Sequence, residues 1–463
     1  MAKPRSVFVC QQCGAQFPKW LGRCTDCGAW ESLAEELAAP RGAAAAAART
    51  SVALGVARNA RPVPLSEVKP EQHQRASSGL GELDRVLGGG IVPGSVILLG
   101  GDPGIGKSTL GLQMLAELAN RGLRALYVSG EESPEQVKLR AERLGCGDSV
   151  YLLAETCLED VLSQLDAFQA EVALIDSIQT LHSRELSSAA GSVGQVRECA
   201  AALVTQAKAR ARPTVLIGHV TKEGAIAGPR VLEHVVDCVL YFEGEQGGGL
   251  RLLRAVKNRF GPTNEVGVFE MQESGLKDVT NPSALLLAER PVDAAGSAVL
   301  PVIEGTRPLL VEVQALAARS NLAMPRRTTL GIDANRVAVL TAIIDRRAGQ
   351  RLFERDLFVN VAGGVRVDEP AADLAVIAAI GSSATDVPLP RDLVLFGEVG
   401  LAGEVRAVRN PETRLREAVK LGFQRAIVPA ATARQVHPVP GLAVTGVDSI
   451  AALWERLFAS SDS

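Results

Sequence analysis

The sequence predicts an α/β protein in three parts: a mostly parallel sheet flanked by helices, preceded by a small cysteine knuckle and followed by a second α/β unit. Three observations predict it. A glycine-rich turn follows an apolar run within residues 96–109. Short apolar runs then alternate with helix-like stretches, and two Cys-x-x-Cys pairs lie near the N-terminus.

The glycine-rich turn carries the first chemistry. Val96 to Leu99 read as a buried strand, and Leu110, Met114, Leu115 and Leu118 repeat as a helix face. Between them, Gly101, Asp102, Pro103, Gly104, Ile105, Gly106, Lys107 and Ser108, continuing into Thr109, fit the G-x-x-x-x-G-K-[ST] phosphate loop. Glycines let backbone N–H groups converge on phosphate oxygens, and the following helix turns its positive dipole end to the same anion. Lys107 is expected on the β/γ-phosphates of ATP and the Ser108 hydroxyl on Mg²⁺.

A chain of 463 residues, 47% hydrophobic and 22% charged, is expected to form two or three globular domains. It has no run of 18 apolar residues to span a membrane, and its first residues lack the apolar core of a secretory signal. Cys146, Cys157, Cys199 and Cys238 are scattered and read as small buried apolar residues, so a cytoplasmic location is expected. A net charge of −3 gives no global sign of nucleic-acid binding, and any basic surface must be local or built by oligomerisation.

In chain order, Cys10, Cys13, Cys24 and Cys27 can place four thiolates on one tetrahedral Zn²⁺, with Gly14 and Gly28 freeing the turns. Residues 1–30 are too short to fold without metal, and four protein ligands leave no open catalytic position. Residues 31–64, with the Ala43–Ala48 run, read as a tether. The nucleotide domain is expected over 65–280. Its second strand, Ala125–Ser129, ends at Glu131 and Glu132, and its third ends at Asp176, the acid expected to hold Mg²⁺. A fourth, from Pro213, ends at His219. In a parallel sheet the strands' carboxyl ends would gather Lys107, Glu131, Asp176 and His219.

Glu131, taken to end the strand beside the phosphate loop, is the choice for orienting the attacking water, with Glu132 as its competitor. His219 is either a γ-phosphate sensor or an ordinary hydrogen-bonded residue. Residues 183–194 and 221–231 read as mobile loops that carry Arg184, Lys222 and Arg230 toward a phosphate backbone. Arg251, Arg254, Lys257 and Arg259 read as a basic strip on an apolar strand.

The combination of the Cys₄ knuckle, the phosphate loop, residues 126–133, residues 227–234 and Lys257-Asn-Arg-Phe-Gly261 resembles the RadA (Sms) family of bacterial DNA repair proteins. The resemblance implies a RecA-like ATPase core in a homo-hexameric ring that moves on single-stranded DNA. It also implies action on branched DNA, migrating recombination intermediates together with the RecA recombinase. Lys257 and Arg259 would then reach the neighbouring subunit's phosphates, or Arg259 would serve DNA. Within 281–463, residues 355–364, 369–373 and 397–405 resemble the proteolytic domain of Lon protease, which cuts with a Ser–Lys dyad. Motif order puts the serine position at Ala371 and the lysine position near Glu412, while Ser382, Ser383 and Lys420 are out of register. The expectation is an inactive, ring-forming scaffold whose Arg319, Arg326 and Arg327 are candidate DNA contacts. A recombination mediator without translocation and an ATP-dependent protease are the rival readings.

Overall fold

The computed structural model describes residues 6–10, 16–26, 28, 30, 32–37, 64, 75–147, 149–219, 229–244, 250–291, 293–320 and 325–458. They fall into two compact units, Met1–Asp278 and Val279–Ser463. Among the described residues, no helix is long and apolar enough to cross a membrane.

The N-terminal ribbon is an antiparallel sheet in the order β2-β1-β3, from β1 (Ser6–Cys10), β2 (Gln16–Phe17) and β3 (Leu33–Leu37). Phe8, Phe17 and Leu21 pack against buried Cys10, Cys24 and Leu33. A tether beginning at residue 31 does not fit this structure, because β3 pairs with β1 along all five residues and Leu33 supplies the small core. Cys13, Cys27 and residues 38–63 lie outside the described residues.

The first unit continues with α1 (Gly81–Leu87), β4 (Val96–Gly101), α2 (Lys107–Asn120), β5 (Ala125–Ser129), α3 (Pro134–Arg143), β6 (Tyr151–Ala154), α4 (Leu158–Ala167), β7 (Val172–Asp176), α5 (Val193–Ala209) and β8 (Thr214–Ile217). It closes with α6 (Pro229–Val235), β9 (Cys238–Glu243), β10 (Leu250–Asn258), β11 (Val266–Gln272) and β12 (Gly275–Asp278). These strands form one nine-stranded sheet, β12-β11-β10-β9-β4-β8-β7-β5-β6. The strands from β9 to β6 run parallel, and β10, β11 and β12 extend the sheet antiparallel. Successive side chains of β4 leave on opposite faces. Ile97 and Leu99 enter one apolar cluster with α1 and α2, while Val96 and Leu98 enter the other with α4 and α5. Both faces are covered, which is why these strands read as unbroken apolar runs.

Two expectations fail on topology. The strand ahead of Glu131 does not lie beside the phosphate-loop strand, since β8 and β7 stand between β5 and β4. The cations of β10 do not form one strip either. Arg251 is buried on the inner side, Arg254 turns out to Glu243 at 3.1 Å, and the pairing slips between Ala255 and Lys257. A bulge of this kind breaks the two-residue alternation on which such a strip depends.

In the second unit, α7 (Pro282–Leu287) precedes a sheet ordered β15-β16-β14-β13-β17-β20-β21. Its strands are β13 (Ser297–Glu304), β14 (Arg307–Arg319), β15 (Arg327–Leu330), β16 (Arg355–Val361), β17 (Leu393–Leu395), β20 (Arg425–Pro429) and β21 (Ala443–Val447), with the pair β18 (Glu398–Val399) and β19 (Val405–Arg406) apart. The helices are α8 (Ala334–Arg347), α9 (Asp373–Thr385), α10 (Pro411–Lys420), α11 (Ala430–Gln435) and α12 (Ile450–Phe458). Arg414 of α10 is buried and held by Glu369 at 2.8 Å, by the Pro301 carbonyl and by the Arg409 carbonyl at 3.0 Å.

Removing one partner of such a buried pair strands the other charge. Glu369→Ala should destabilise the second unit by about 3–5 kcal/mol, read as a lower Tm by calorimetry. Replacing Glu369 and Arg414 together by apolar residues of similar volume should recover most of that loss.

Candidate active site

The phosphate loop holds its glycines for two reasons. Gly101, Gly104 and Gly106 sit at φ 144°, 77° and 118°, in the left-handed region where a Cβ is strained. A Cβ on Gly106 would also stand 2.7 Å from the Met271 methyl, and one on Gly101 2.9 Å from the Phe242 carbonyl oxygen. Gly104 faces open space. Helix α2 starts at Lys107 with no side chain capping its first turn, so its leading amides stay directed at the loop. This cradle and its charge fit a nucleotide phosphate chain.

Lys107 is buried, and its ammonium donates to the carbonyls of Gly101 at 2.8 Å and Asp102 at 2.9 Å. Burial lowers its pKa, against the opposing charges of Asp176, Glu131 and Asp102. Asp176 ends β7 and is likewise buried, where the Tyr127 hydroxyl of β5 donates to it. Burial, and then the Asp176 charge, raise the Tyr127 pKa, so the hydroxyl remains a donor. Ser108 and Asp176 are the side chains that would hold Mg²⁺.

Glu131 and Glu132 part company. The Glu131 carboxylate accepts from the Ser177 hydroxyl and lies 3.0 and 3.2 Å from His219 Nε2. The His219 hydrogen bond is the largest cause of its lowered pKa. Burial opposes it, while Ser177 and the charges of His219 and Lys107 reinforce it. Glu132 instead pairs with Arg140 of α3, and its carbonyl accepts from Ser129 at 2.7 Å. The structure thus brings Lys107, Asp176, Glu131 and His219 together at one edge of the sheet.

Lys257 and Arg259 are not brought there. β9 sets Phe242 opposite Gly101 at the loop end and Cys238 opposite Ile97 at the other. β10 runs back, so Asn258 lies opposite Cys238. The two cations therefore stand a strand length, roughly 16 Å, from their own phosphate loop. Lys257 donates to the carbonyls of Glu233 and Val236, at 2.5 and 2.8 Å, where a cation complements the C-terminal end of α6. Arg259 donates to Asp237 at 3.1 Å and is half-exposed, while Asp237 also takes the Val96 amide at 3.1 Å and Lys208 at 3.3 Å.

Of the candidate DNA contacts, Arg184 is paired with Asp160. The loop that carries it is tied down rather than loose. The Gln195 side chain accepts from the Ser183 amide at 2.8 Å and donates to the carbonyls of Ser183, Leu186 and Ser188 at 3.3, 3.2 and 2.9 Å. Lys222 lies outside the described residues, as do the side-chain contacts of Arg230. Arg326 and Arg319 are exposed, whereas Arg327 spends its guanidinium on the carbonyls of Arg326, Arg355 and Leu352 at 3.2, 2.6 and 3.2 Å.

In the ribbon, Cys10 and Cys24 are buried in one small cluster, and the Gly28 amide closes on the Cys24 carbonyl at 2.9 Å with φ 77°. Thiols on such a knuckle suit Zn²⁺. In the second unit, Ala371 is buried and Glu412 is held by His437 at 2.8 Å and Arg416 at 3.1 Å. Ser382 donates to the Val387 carbonyl at 2.6 Å, Ser383 accepts from the Ala317 amide at 2.9 Å, and Lys420 reaches Glu417 at 3.4 Å. Ser382 and Ser383 are thus bonded within the fold, while Glu412 and Lys420 are paired at the surface.

Sequence reasoning missed Tyr127, Ser177, Arg140 and Asp237. A tyrosine inside an aliphatic strand is the one usable signal among them, since a buried hydroxyl needs a partner.

Comparison with known proteins agrees part by part. The KaiC ATPase family matches residues 76–151, the rubredoxin metal binding domain residues 8–35, and the C-terminal proteolytic domain of Lon protease (S16) residues 333–453. A KaiC-like protein of Pyrococcus horikoshii OT3 aligns over 45% of this chain and 99% of its own at 20% identity and TM-score 0.38. DNA repair protein RadA of Bacillus subtilis (strain 168) is 49% identical over 452 residues, 97% of this chain and 98% of the relative. That of Pseudomonas aeruginosa is 52% identical over 461 residues, 99% of this chain and 100% of the relative. With identity of that order along nearly the whole of both chains, this chain belongs to the RadA family of DNA repair proteins, and its central unit is a RecA-like ATPase.

Proposed function

We propose that this ATPase is a motor that moves on single-stranded DNA and, with the RecA recombinase, drives branch migration of recombination intermediates as a homo-hexameric ring. The observation that carries the reading is the separation of Lys257 and Arg259 from their own phosphate loop by the length of the sheet. Groups at opposite ends of one subunit meet only when copies associate head to tail, and such heterologous contacts give a ring where the rotation closes. Arg259, half-exposed on Asp237, is then available to a neighbour's phosphates as a cationic finger.

Within one site the residues divide the work. The backbone N–H groups within 101–109, Pro103 having none, and Lys107 would hold the phosphates, and Ser108 and Asp176 would hold Mg²⁺, with Tyr127 donating to the Asp176 carboxylate. Mg²⁺ held there would neutralise phosphate charge. Glu131, kept ionised by His219 and Ser177, orients the attacking water. His219 lies two residues past β8 and immediately before residues 220–228 in the chain, so its bond to Glu131 joins the hydrolysis site to the start of the segment holding Lys222. Arg184, Lys222, Arg230, Arg326 and Arg327 are the candidate DNA contacts, and of these the Arg184 and Arg327 cations are already bonded within the chain. Cys10, Cys13, Cys24 and Cys27 hold a structural Zn²⁺, and the second unit acts as a scaffold without peptidase chemistry.

Purified chain should hydrolyse ATP slowly, faster with single-stranded DNA, and Lys107→Ala should abolish both rates. A rate indifferent to DNA but raised by unfolded protein would sink the motor reading. Glu131→Gln should lower kcat by about 100-fold or more while ATP still binds. The pH profile tests the same residue. A depressed carboxylate pKa keeps Glu131 charged to lower pH, and activity falls as pH drops through it. His219→Ala removes the chief cause of the depression, so the acid limb should move to higher pH. For the finger, equal mixtures of Lys107→Ala and Arg259→Ala chains should regain ATPase activity that neither has alone. Mixtures that stay inactive would place Arg259 elsewhere.

A further inference from the structure

The ribbon exposes an aromatic surface that the fold does not use. The chain has three tryptophans, and Trp454 packs on Phe458 in the second unit with ring centroids 4.7 Å apart. The other two, Trp20 and Trp30, are 55% and 72% exposed. The ribbon has inward positions for apolar side chains, and Phe8, Phe17, Leu21 and Leu33 fill them. Among the described residues of the ribbon, the large apolar side chains left outside are the two indoles. Arg23 pairs with Trp30 in an antiparallel bridge, and its guanidinium lies 5.6 Å from the Trp30 ring centroid, anchored by a bond from Nε to the Gly28 carbonyl at 2.9 Å. Gly22 adds no side chain beside the Trp20 ring, whose nearest atoms lie 3.6 and 3.8 Å from where a Cβ would stand. Residues 1–30 hold Lys3, Arg5, Lys19 and Arg23 against one carboxylate, Asp26.

We propose that Trp20 and Trp30, with Lys19 and Arg23, form a stacking platform for the unpaired bases of single-stranded DNA. Exposed aromatic faces interleaved with cations are the elements by which a protein holds a strand without reading its sequence. The indoles accept the flat faces of bases, and the cations meet the phosphates between them. Arg23, already lying over one indole, adds a planar cation to the same stack. Duplex DNA offers no such faces, because its bases stack on one another. A protein partner would call for a continuous apolar groove, whereas Leu21 and Leu33 of the ribbon are turned into its small core. The inference rests on the reading of the chain as a protein that works on single-stranded DNA, and gives the ribbon a place in it.

The test uses the full chain carrying Trp454→Phe, so that only Trp20 and Trp30 emit, titrated with oligothymidylate. Saturable quenching of tryptophan emission is expected, together with weaker binding by Trp20→Ala and Trp30→Ala, about tenfold each by fluorescence anisotropy of a labelled strand. Trp30→Tyr should bind more tightly than Trp30→Ala. Strand binding at undiminished affinity with no change in emission would overturn the platform and leave the single-strand reading standing. No strand binding by any chain, wild type included, would overturn both. Emission that responds to another protein and not to the oligonucleotide would assign the patch to a protein interface, and would equally overturn the proposal.

Discussion

Parallel strands ending at one edge are the constraint on which the site depends. Because β4, β8 and β7 are hydrogen-bonded neighbours, whatever follows each of them is also a neighbour: the phosphate loop, His219 and Ser177. Apolar clusters on both faces hold the strands, so the polar groups at their ends are positioned by a scaffold to which they contribute little. Glu131 arrives from β5, beyond β7, and the Ser177 hydroxyl and the His219 ring bridge the gap. Tyr127 makes the corresponding link from β5 to the end of β7 through Asp176. Two hydrogen-bonded bridges thus tie the outer strand to the inner ones at the level where phosphate chemistry would occur.

The parts of this arrangement that were legible in the sequence are those set by local pattern. An apolar run closed by glycines and a lysine, and an apolar run closed by an acid, are short-range signals with a direct steric meaning. Strand order is a long-range property, and neither pattern carries it. Sequence proximity suggests that β5 adjoins β4, and the observed insertion of β8 and β7 makes Ser177, rather than the phosphate loop, the first neighbour of Glu131. The choice between two adjacent acids was open for a related reason. In the structure Arg140, which α3 brings back to Glu132, pairs with that acid, while Glu131 meets Ser177 and His219. Composition misled where one side chain does unusual work. Residues 183–194 look loose from their glycine and serine, yet Gln195 bonds four of the loop's backbone groups. The bulge after Ala255 likewise breaks an alternation that simple counting assumes.

The second unit matches the C-terminal proteolytic domain of Lon protease, and under the proposed reading it keeps that frame without the dyad. Where chemistry would need a serine and a neutral lysine, there is a buried methyl at Ala371 and a carboxylate at Glu412 already engaged by His437 and Arg416. Nearby charges are used inward. Glu369 and Arg414 neutralise each other, and Asp373 is held by Arg336 and by the Val399 amide at 2.9 Å. Buried charges are tolerable only in such satisfied sets. These satisfied sets hold the framework, which accords with the proposed scaffold role.

Asp237 gives the far end of the sheet its importance. Its carboxylate takes the Val96 amide, which opens the phosphate-loop strand, along with Arg259 and Lys208. Two residues earlier, α6 ends, and Lys257 caps it through Glu233 and Val236. The helix that follows residues 220–228, the start of the phosphate-loop strand and both motif cations are thus joined through charge-assisted bonds in one small region. Bonds of that kind are directional, so withdrawing Lys257 or Arg259 toward a neighbour's phosphates would uncap α6 or release one partner of Asp237. A cation that must leave a satisfied position to reach its target makes nucleotide contact and helix position alternatives. Under the proposed reading, that exclusivity is the physical basis by which ATP bound at one interface would shift α6 and the start of the phosphate-loop strand together.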